Sequence, residues 1–259
     1  MVNMIFELKI DEQICEKNCR CIYKMAYNYL SVVANKDEKW NIKELYIVTD
    51  TEFDGPIPGD HSMLSFGSVA VDLNGRIWGL FYANLQPLNG AKSDIKTAQF
   101  WSKFPGQYAQ ATYAPLDPGA VMRNYTDWIA SLNCDHPYFV SDCSTDWMFM
   151  QWYMVHFLHE MPLGYNAIHS RSIAWASNMK GFPLYSDVSL KNFQPYEYPH
   201  NHVSICDALG EALIFINLLR YNKKRPSIDN FQVDDEPIKE MLTMIQRYND
   251  FSEVTPRDQ

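Results

Sequence analysis

The sequence predicts an α/β fold in which a mixed sheet is covered by helices, and three observations carry that prediction. Apolar stretches with strand-like alternation fill residues 44–86, helical periodicity dominates after Ser93 and again after His202, and a short apolar run, "HPYFVSD", stands between two of the helical stretches. With 259 residues, 47% hydrophobic and 14% aromatic, the chain can bury a sizeable core as one large domain or one domain with appendages.

The elements follow in order. Residues 11–36 carry Cys15, Cys19, Ile22, Ala26, Leu30 and Val33 at spacings of three and four, the stripe of an amphipathic helix. After the charged break "NKDEKW", the strand "ELYIVTD" begins. "SMLSFGSVAVDLNGRIWGLFYANLQ" reads as two further strands joined by a turn at "DLNG", giving three antiparallel strands in a row. "SDIKTAQFWSKF" is a helix capped by Ser or Asp. "DPGAVMRNYTDWIASL" is a stronger one, with Val121, Tyr125, Trp128 and Leu132 in helical phase. "STDWMFMQWYMVHFLHE" is a helix entered through Ser144 or Thr145. Residues 162–201 weaken into loops and a short helix near 172–179, before the strong helix "SICDALGEALIFINLLRY". Polar composition after Lys223 and the stretch "EPIKEMLTMIQRY" predict a closing helix or docked tail. The expected organisation is an N-terminal helical extension over 1–43, a main domain over 44–222 and a C-terminal tail over 223–259.

Composition excludes some function classes. The net charge of −9 argues against broad, nonspecific duplex binding, which neutralises many phosphates with Lys and Arg. A compact carboxylate site loaded with divalent metal escapes that argument, because the metal supplies positive charge and a single-stranded end needs few backbone contacts. The longest apolar run, "ALIFINLL", is too short for a bilayer span, and the N-terminal stretch lacks a basic region followed by a long apolar one. The expectation is a cytoplasmic protein without membrane contact. Six cysteines without C-x-x-C spacing indicate reduced thiols rather than a zinc ribbon.

Four acids sit at element ends in three separated segments: Asp50 and Glu52 closing the first long strand, Asp146 opening a helix, and Asp207 in the late helix. In a strand, residues i and i+2 share a face, so Asp50 and Glu52 repel each other side by side unless a cation offsets them. Hard divalent ions prefer such oxygen ligands. Two ions about 3.5–4 Å apart can activate a water and stabilise both oxygens of an in-line phosphoryl displacement. His202 lies five residues before Asp207. Taken singly, Ser204 with Asp207 also reads as a helix-capping box, and residues 50–54 as a solvated turn. "HFLHE" at 156–160 is not H-E-x-x-H, and its aromatic neighbours indicate a packed helix.

"TDTEFDGP" resembles the D-x-E motif of the DEDD exonucleases, the ribonuclease-H-like 3′-to-5′ exonucleases that include the proofreading exonuclease, RNase T and oligoribonuclease group. "YFVSDCSTDWMFM" is similar to the second motif, and "HVSICDALGEALIF", with His, four residues and Asp, to the third motif of the DEDDh branch. The resemblance covers about residues 44–221. It implies a ribonuclease-H-like mixed five-stranded sheet flanked by helices. It further implies that Asp50, Glu52, Asp146 and Asp207 ligate two Mg²⁺ or Mn²⁺ ions, with His202 as general base and Glu52 beside it among the catalytic residues. Asp142 competes with Asp146 for the second motif, and His200 with His202; the spacing within the motifs favours Asp146 and His202. Met63 and Leu64 would wall the pocket of the terminal nucleotide. The implied partner is a single-stranded nucleic-acid 3′ end, DNA or RNA, hydrolysed to nucleoside 5′-monophosphates, and a homodimer is common among relatives. The rival is a catalytically silent nucleic-acid-binding or protein-interaction module with the same fold.

Overall fold

The computed structural model describes residues 28–34, 42–176 and 200–252. Six strands form one mixed sheet: β1 (Tyr29–Val33), β2 (Ile42–Phe53), β3 (Met63–Val71), β4 (Ile77–Asn84), β5 (Cys134–Ser141) and β6 (Ala167–His169), in the order β1-β4-β3-β2-β5-β6. The expected antiparallel run of β2, β3 and β4 is present, with the turn closed by the Gly75 N–H bonded to the Asp72 carbonyl at 2.9 Å. Gly75 has φ +82°, which favours glycine in that turn. β5 and β6 continue the sheet in parallel.

The sheet has six strands, one more than the five expected, and two of them, β1 and β6, lie where the sequence pattern predicts no strand. The end of the helix expected over 11–36 is instead β1, whose "YLSVV" pairs antiparallel with β4 from Tyr29↔Ala83 to Val33↔Gly79. Aromatic and β-branched residues fit a pleated edge, and the free side of β4 supplies the ladder that a helix would leave unpaired. The rest of that expected helix, with Cys15, Cys19 and Cys21, lies outside the described residues. β6 falls in the stretch expected to be loop, and three residues are too few to show a period.

The helices are α1 (Ile95–Trp101), α2 (Pro105–Ala111), α3 (Pro118–Ser131), α4 (Ser144–Leu158), α5 (Ser170–Ala176), α6 (Ser204–Asn222) and α7 (Glu236–Ser252). The single helix expected around "SDIKTAQFWSKF" is followed at once by α2, because Pro105 cannot continue a helix but suits the first position of a new one. α4 is entered through Cys143, not Ser144 or Thr145. α7 is helical as expected and sends Ile238, Met241, Leu242 and Ile245 into the main core.

The two faces of the central strands are covered by different helices. Phe66 and Ser68 of β3 point toward α3, where Ser68 Oγ lies 3.0 Å from the Tyr125 hydroxyl and the Phe66 and Tyr125 ring centroids are 5.1 Å apart. Gly67 and Ser65 point toward α6, and a Cβ added at Gly67 would fall 2.4 Å from Ile205 Cα. Only glycine allows this approach of helix to strand. No helix among the described residues is long and apolar enough to cross a membrane.

Candidate active site

Register carries the first two acids to the face beneath α6. In the β2–β3 pairing, Asp50 stands opposite Gly67 and Glu52 opposite Ser65, so both carboxylates project toward α6. The pairing then shifts between Glu52 and Phe53, an irregularity that ends the ladder at the site. Because Gly67 admits the first turn of α6, Asp207 arrives over this face. Asp50, Glu52 and Asp207 each offer a carboxylate oxygen within 4.8 Å of the others.

Asp146 approaches from the other side of the sheet. Thr51 points away from Asp50 and Glu52, and its Oγ1 donates to Asp146 Oδ1 at 2.8 Å while its backbone N–H donates to the same oxygen at 3.3 Å. The Cys143 N–H donates to Asp146 Oδ2 at 3.3 Å. The end of β2 is thus gripped by α6 on one face and by the start of α4 on the other.

All four predicted acids are buried, Asp50 and Glu52 at 8% exposure, Asp146 at 3% and Asp207 at 2%. Buried like charges disfavour ionisation. Burial, then the charges of Glu211, Asp146, Glu52 and Asp207, holds the Asp50 carboxyl well above the usual range; burial and the charges of Asp207 and Asp146 do the same to Glu52. Burial pushes Asp146 up to about 7, against the hydrogen bonds from Thr51 and Cys143, and Asp207 up to about 6. Asp207 accepts the backbone N–H groups of Asn201 at 2.8 Å and His202 at 2.9 Å. Asp50 Oδ2 is shut away from solvent with no hydrogen-bond partner. An all-oxygen set with one such orphaned atom is a donor arrangement suited to a hard divalent cation.

His202 and His200 both stand beside Asp207, with ligand atoms of the three side chains within 4.8 Å of one another. His200 Nδ1 lies 3.1 Å from Asp207 Oδ2. The His202 ring is packed among Phe100, Trp101 and Phe104, and burial lowers its pKa to about 4.

The remaining sequence candidates separate. Asp142 faces Arg171, which bonds it through Nε at 2.5 Å and through Nη2, while Ser170 Oγ donates at 3.2 Å; its extra charge is matched there. Met63 is fully buried in the main core and its N–H donates to the Tyr153 hydroxyl at 2.7 Å, so its side chain presents no surface to a substrate. Leu64 is 2% exposed and clusters with Trp101 and Ala111 under α1 and α2. Beside it, a cavity of about 320 Å³ is lined by Asp54, Ser93, Trp101 and Tyr108 among others. In "HFLHE", the His156 ring stacks on Trp152 with centroids 4.3 Å apart.

Sequence reasoning missed Glu211. It lies on α6 one turn beyond Asp207, and the signal was present in "DALGE", an i, i+4 pair of acids on one helix face.

The 3′-5′ DNA exonuclease Cap18 of Escherichia coli is 26% identical to this chain over 188 residues, 71% of this chain and 96% of that protein. The nuclease domain of 3′hExo, a DEDDh family member solved with bound rAMP, superposes with a TM-score of 0.52 at 12% identity, over 75% of this chain and all of that one. The chain is similar to the DEDDh 3′-to-5′ exonucleases and has their fold. A 3′-exonuclease solved in its 3′-end-specific recognition of the histone mRNA stem-loop superposes at a TM-score of 0.53 and 15% identity, over 70% of this chain and 84% of that one. No protein-family model matches the chain. The expected ribonuclease-H-like α/β architecture is borne out, with six strands in place of five.

Proposed function

We propose that the chain is a metal-dependent 3′-to-5′ exonuclease that removes nucleoside 5′-monophosphates from single-stranded nucleic acid. The observation that carries this reading is the burial of Asp50, Glu52, Asp146 and Asp207 at one strand end with Asp50 Oδ2 left unpartnered. A silent module would gain stability by replacing such a set with neutral residues. The similarity to Cap18, which extends over nearly all of that exonuclease, supports the reading.

Asp50, Glu52, Asp146 and Asp207 would hold two divalent ions, Mg²⁺ or Mn²⁺. When bound, such ions lower the pKa of a water and stabilise charge on the attacking and leaving oxygens. The carboxylates themselves ionise in that state, because the added positive charge reverses the local pKa balance. The Thr51 and Cys143 bonds fix the direction of Asp146, and the Asn201 and His202 amides fix Asp207. His202, neutral at pH 7, would accept the proton of the attacking water, and the aromatics of α1 and α2 would exclude bulk water from it. The cavity walled by Trp101 and Tyr108 offers ring surfaces against which a terminal base could stack.

The test is a time course on 5′-labelled single-stranded DNA and RNA of one sequence, in Mg²⁺, Mn²⁺ or EDTA, comparing wild type with Asp146→Ala and His202→Ala. A ladder shortening from the 3′ end, abolished by EDTA and by both substitutions, is expected, and the faster polymer names the substrate. Absence of degradation of either polymer with any metal would overturn the reading in favour of a binding module.

A further inference from the structure

Two carboxylate oxygens of the described residues are shut away from solvent without a hydrogen-bond partner, Asp50 Oδ2 and Glu211 Oε2. They come from different elements, the end of β2 and the second turn of α6. Glu211 follows Asp207 by four residues on one helix, so the two side chains lie on the same face, one turn apart. Asp207 already meets Asp50 and Glu52 within 4.8 Å on that face. Glu211 is also the charge that most opposes ionisation of Asp50, and burial together with the charges of Asp142, Asp146 and Asp207 raises its own pKa.

We infer that Glu211 is a fifth carboxylate of the same centre, holding a divalent cation jointly with Asp50, directly or through one water. The inference rests on the metal-dependent reading above. A buried carboxylate oxygen without a donor is costly, and a cation held between two such oxygens on elements packed together relieves both. Asp146 and Asp207 differ in having their oxygens engaged: Thr51 and Cys143 donate to Asp146, and two backbone amides donate to Asp207. Glu211 and Asp50 each retain one buried oxygen without a hydrogen-bond partner. Arg171 pairs directly with Asp142 and its charge also favours ionisation of Glu211, yet Glu211 Oε2 has no hydrogen-bond partner.

The test is Mn²⁺ binding by the full chain, followed by titration calorimetry and by the electron paramagnetic resonance of free Mn²⁺, for wild type, Glu211→Gln, Glu211→Asp and Asp50→Asn. Glu211→Gln is expected to weaken Mn²⁺ binding by about tenfold or more, with the far-ultraviolet circular dichroism of the metal-free protein unchanged. Glu211→Asp, which keeps the charge but withdraws it by one methylene, is expected to weaken it less, and decides the matter should the glutamine variant not fold. Wild-type affinity and stoichiometry in the folded Glu211 variants, with binding lost in Asp50→Asn, would overturn this inference alone. Absence of Mn²⁺ binding by wild type would overturn the metal-dependent reading itself.

Discussion

The His202 imidazole meets the ring of Phe104 edge-on, with centroids 4.5 Å apart and planes at 61°. Phe100 lies 4.9 Å away on a similar footing, and the His202 backbone sits at φ +63°, in the left-handed region that non-glycine residues seldom occupy. Backbone and aromatic walls together set the direction of this ring. His200 is half exposed and turned directly onto Asp207. The two histidines, with ring centroids 4.7 Å apart, both stand beside Asp207, but His202 is walled by aromatic rings whereas His200 is open to solvent.

If His202 takes the proton, His202→Ala lowers kcat by roughly 10²–10⁴-fold, while Mn²⁺ affinity stays near that of wild type. His200→Ala costs less than about tenfold. Steady-state rates on a labelled single strand check both, and the reverse ranking would move the proton acceptor to His200.

Loss of Asp50 separates catalysis from stability. Asp50→Asn is expected to reduce kcat roughly a thousandfold, about 4 kcal/mol of barrier. The same change removes a charge that burial and four neighbouring acids oppose. The metal-free variant should melt higher by about 2–4 °C, as about 1 kcal/mol gives in a chain of this size. Differential scanning calorimetry in EDTA reads the shift, and a lower Tm would contradict the repulsion argued for this cluster.

The pH dependence of the metal-free protein has a definite sign. Asp146 and Asp207, raised from 3.8 to about 7 and about 6, bind more protons folded than unfolded. Their stabilising contribution is complete below the unfolded value and is lost as pH rises through the folded one. His202, lowered from 6.5 to about 4, acts in the opposite sense, but only below pH 6.5. Lowering the pH from about 8 to about 6.5 in EDTA should therefore raise Tm. Saturating Mn²⁺ should reverse that trend, since metal binding requires the deprotonated carboxylates. Melting curves at several pH values with and without Mn²⁺ check the sign.

Gly67→Ala probes how the site is built. The added methyl would stand 2.4 Å from Ile205 Cα and 2.5 Å from its nitrogen, both backbone atoms that a rotamer change cannot move. The expected cost is about 1–3 kcal/mol or more, with weakened Mn²⁺ binding because α6 carries Asp207. Urea unfolding and Mn²⁺ titration on the same preparation should both shift; an unchanged affinity would mean that α6 tolerates displacement from β3.

The antiparallel run of β2, β3 and β4, the major helices and the order of the four acids and His202 were legible in the chain before folding, because strand and helix periods and an i, i+2 or five-residue spacing are local properties. Tertiary structure decided the rest. Residues 29–33 became a strand because β4 offered an unpaired edge, a fact with no local signature. The pairing of Asp142 joins it to a residue 29 positions away, and the aromatic box around His202 comes from helices about a hundred residues earlier in the chain. Glu211 was visible as a helical neighbour of Asp207, yet the burial of its Oε2 depends on how closely α6 lies on β3. That distance is set by the missing side chain of Gly67, opposite Asp50 in the ladder, so steric contact between elements, which no local spacing encodes, gathered the acids into one site.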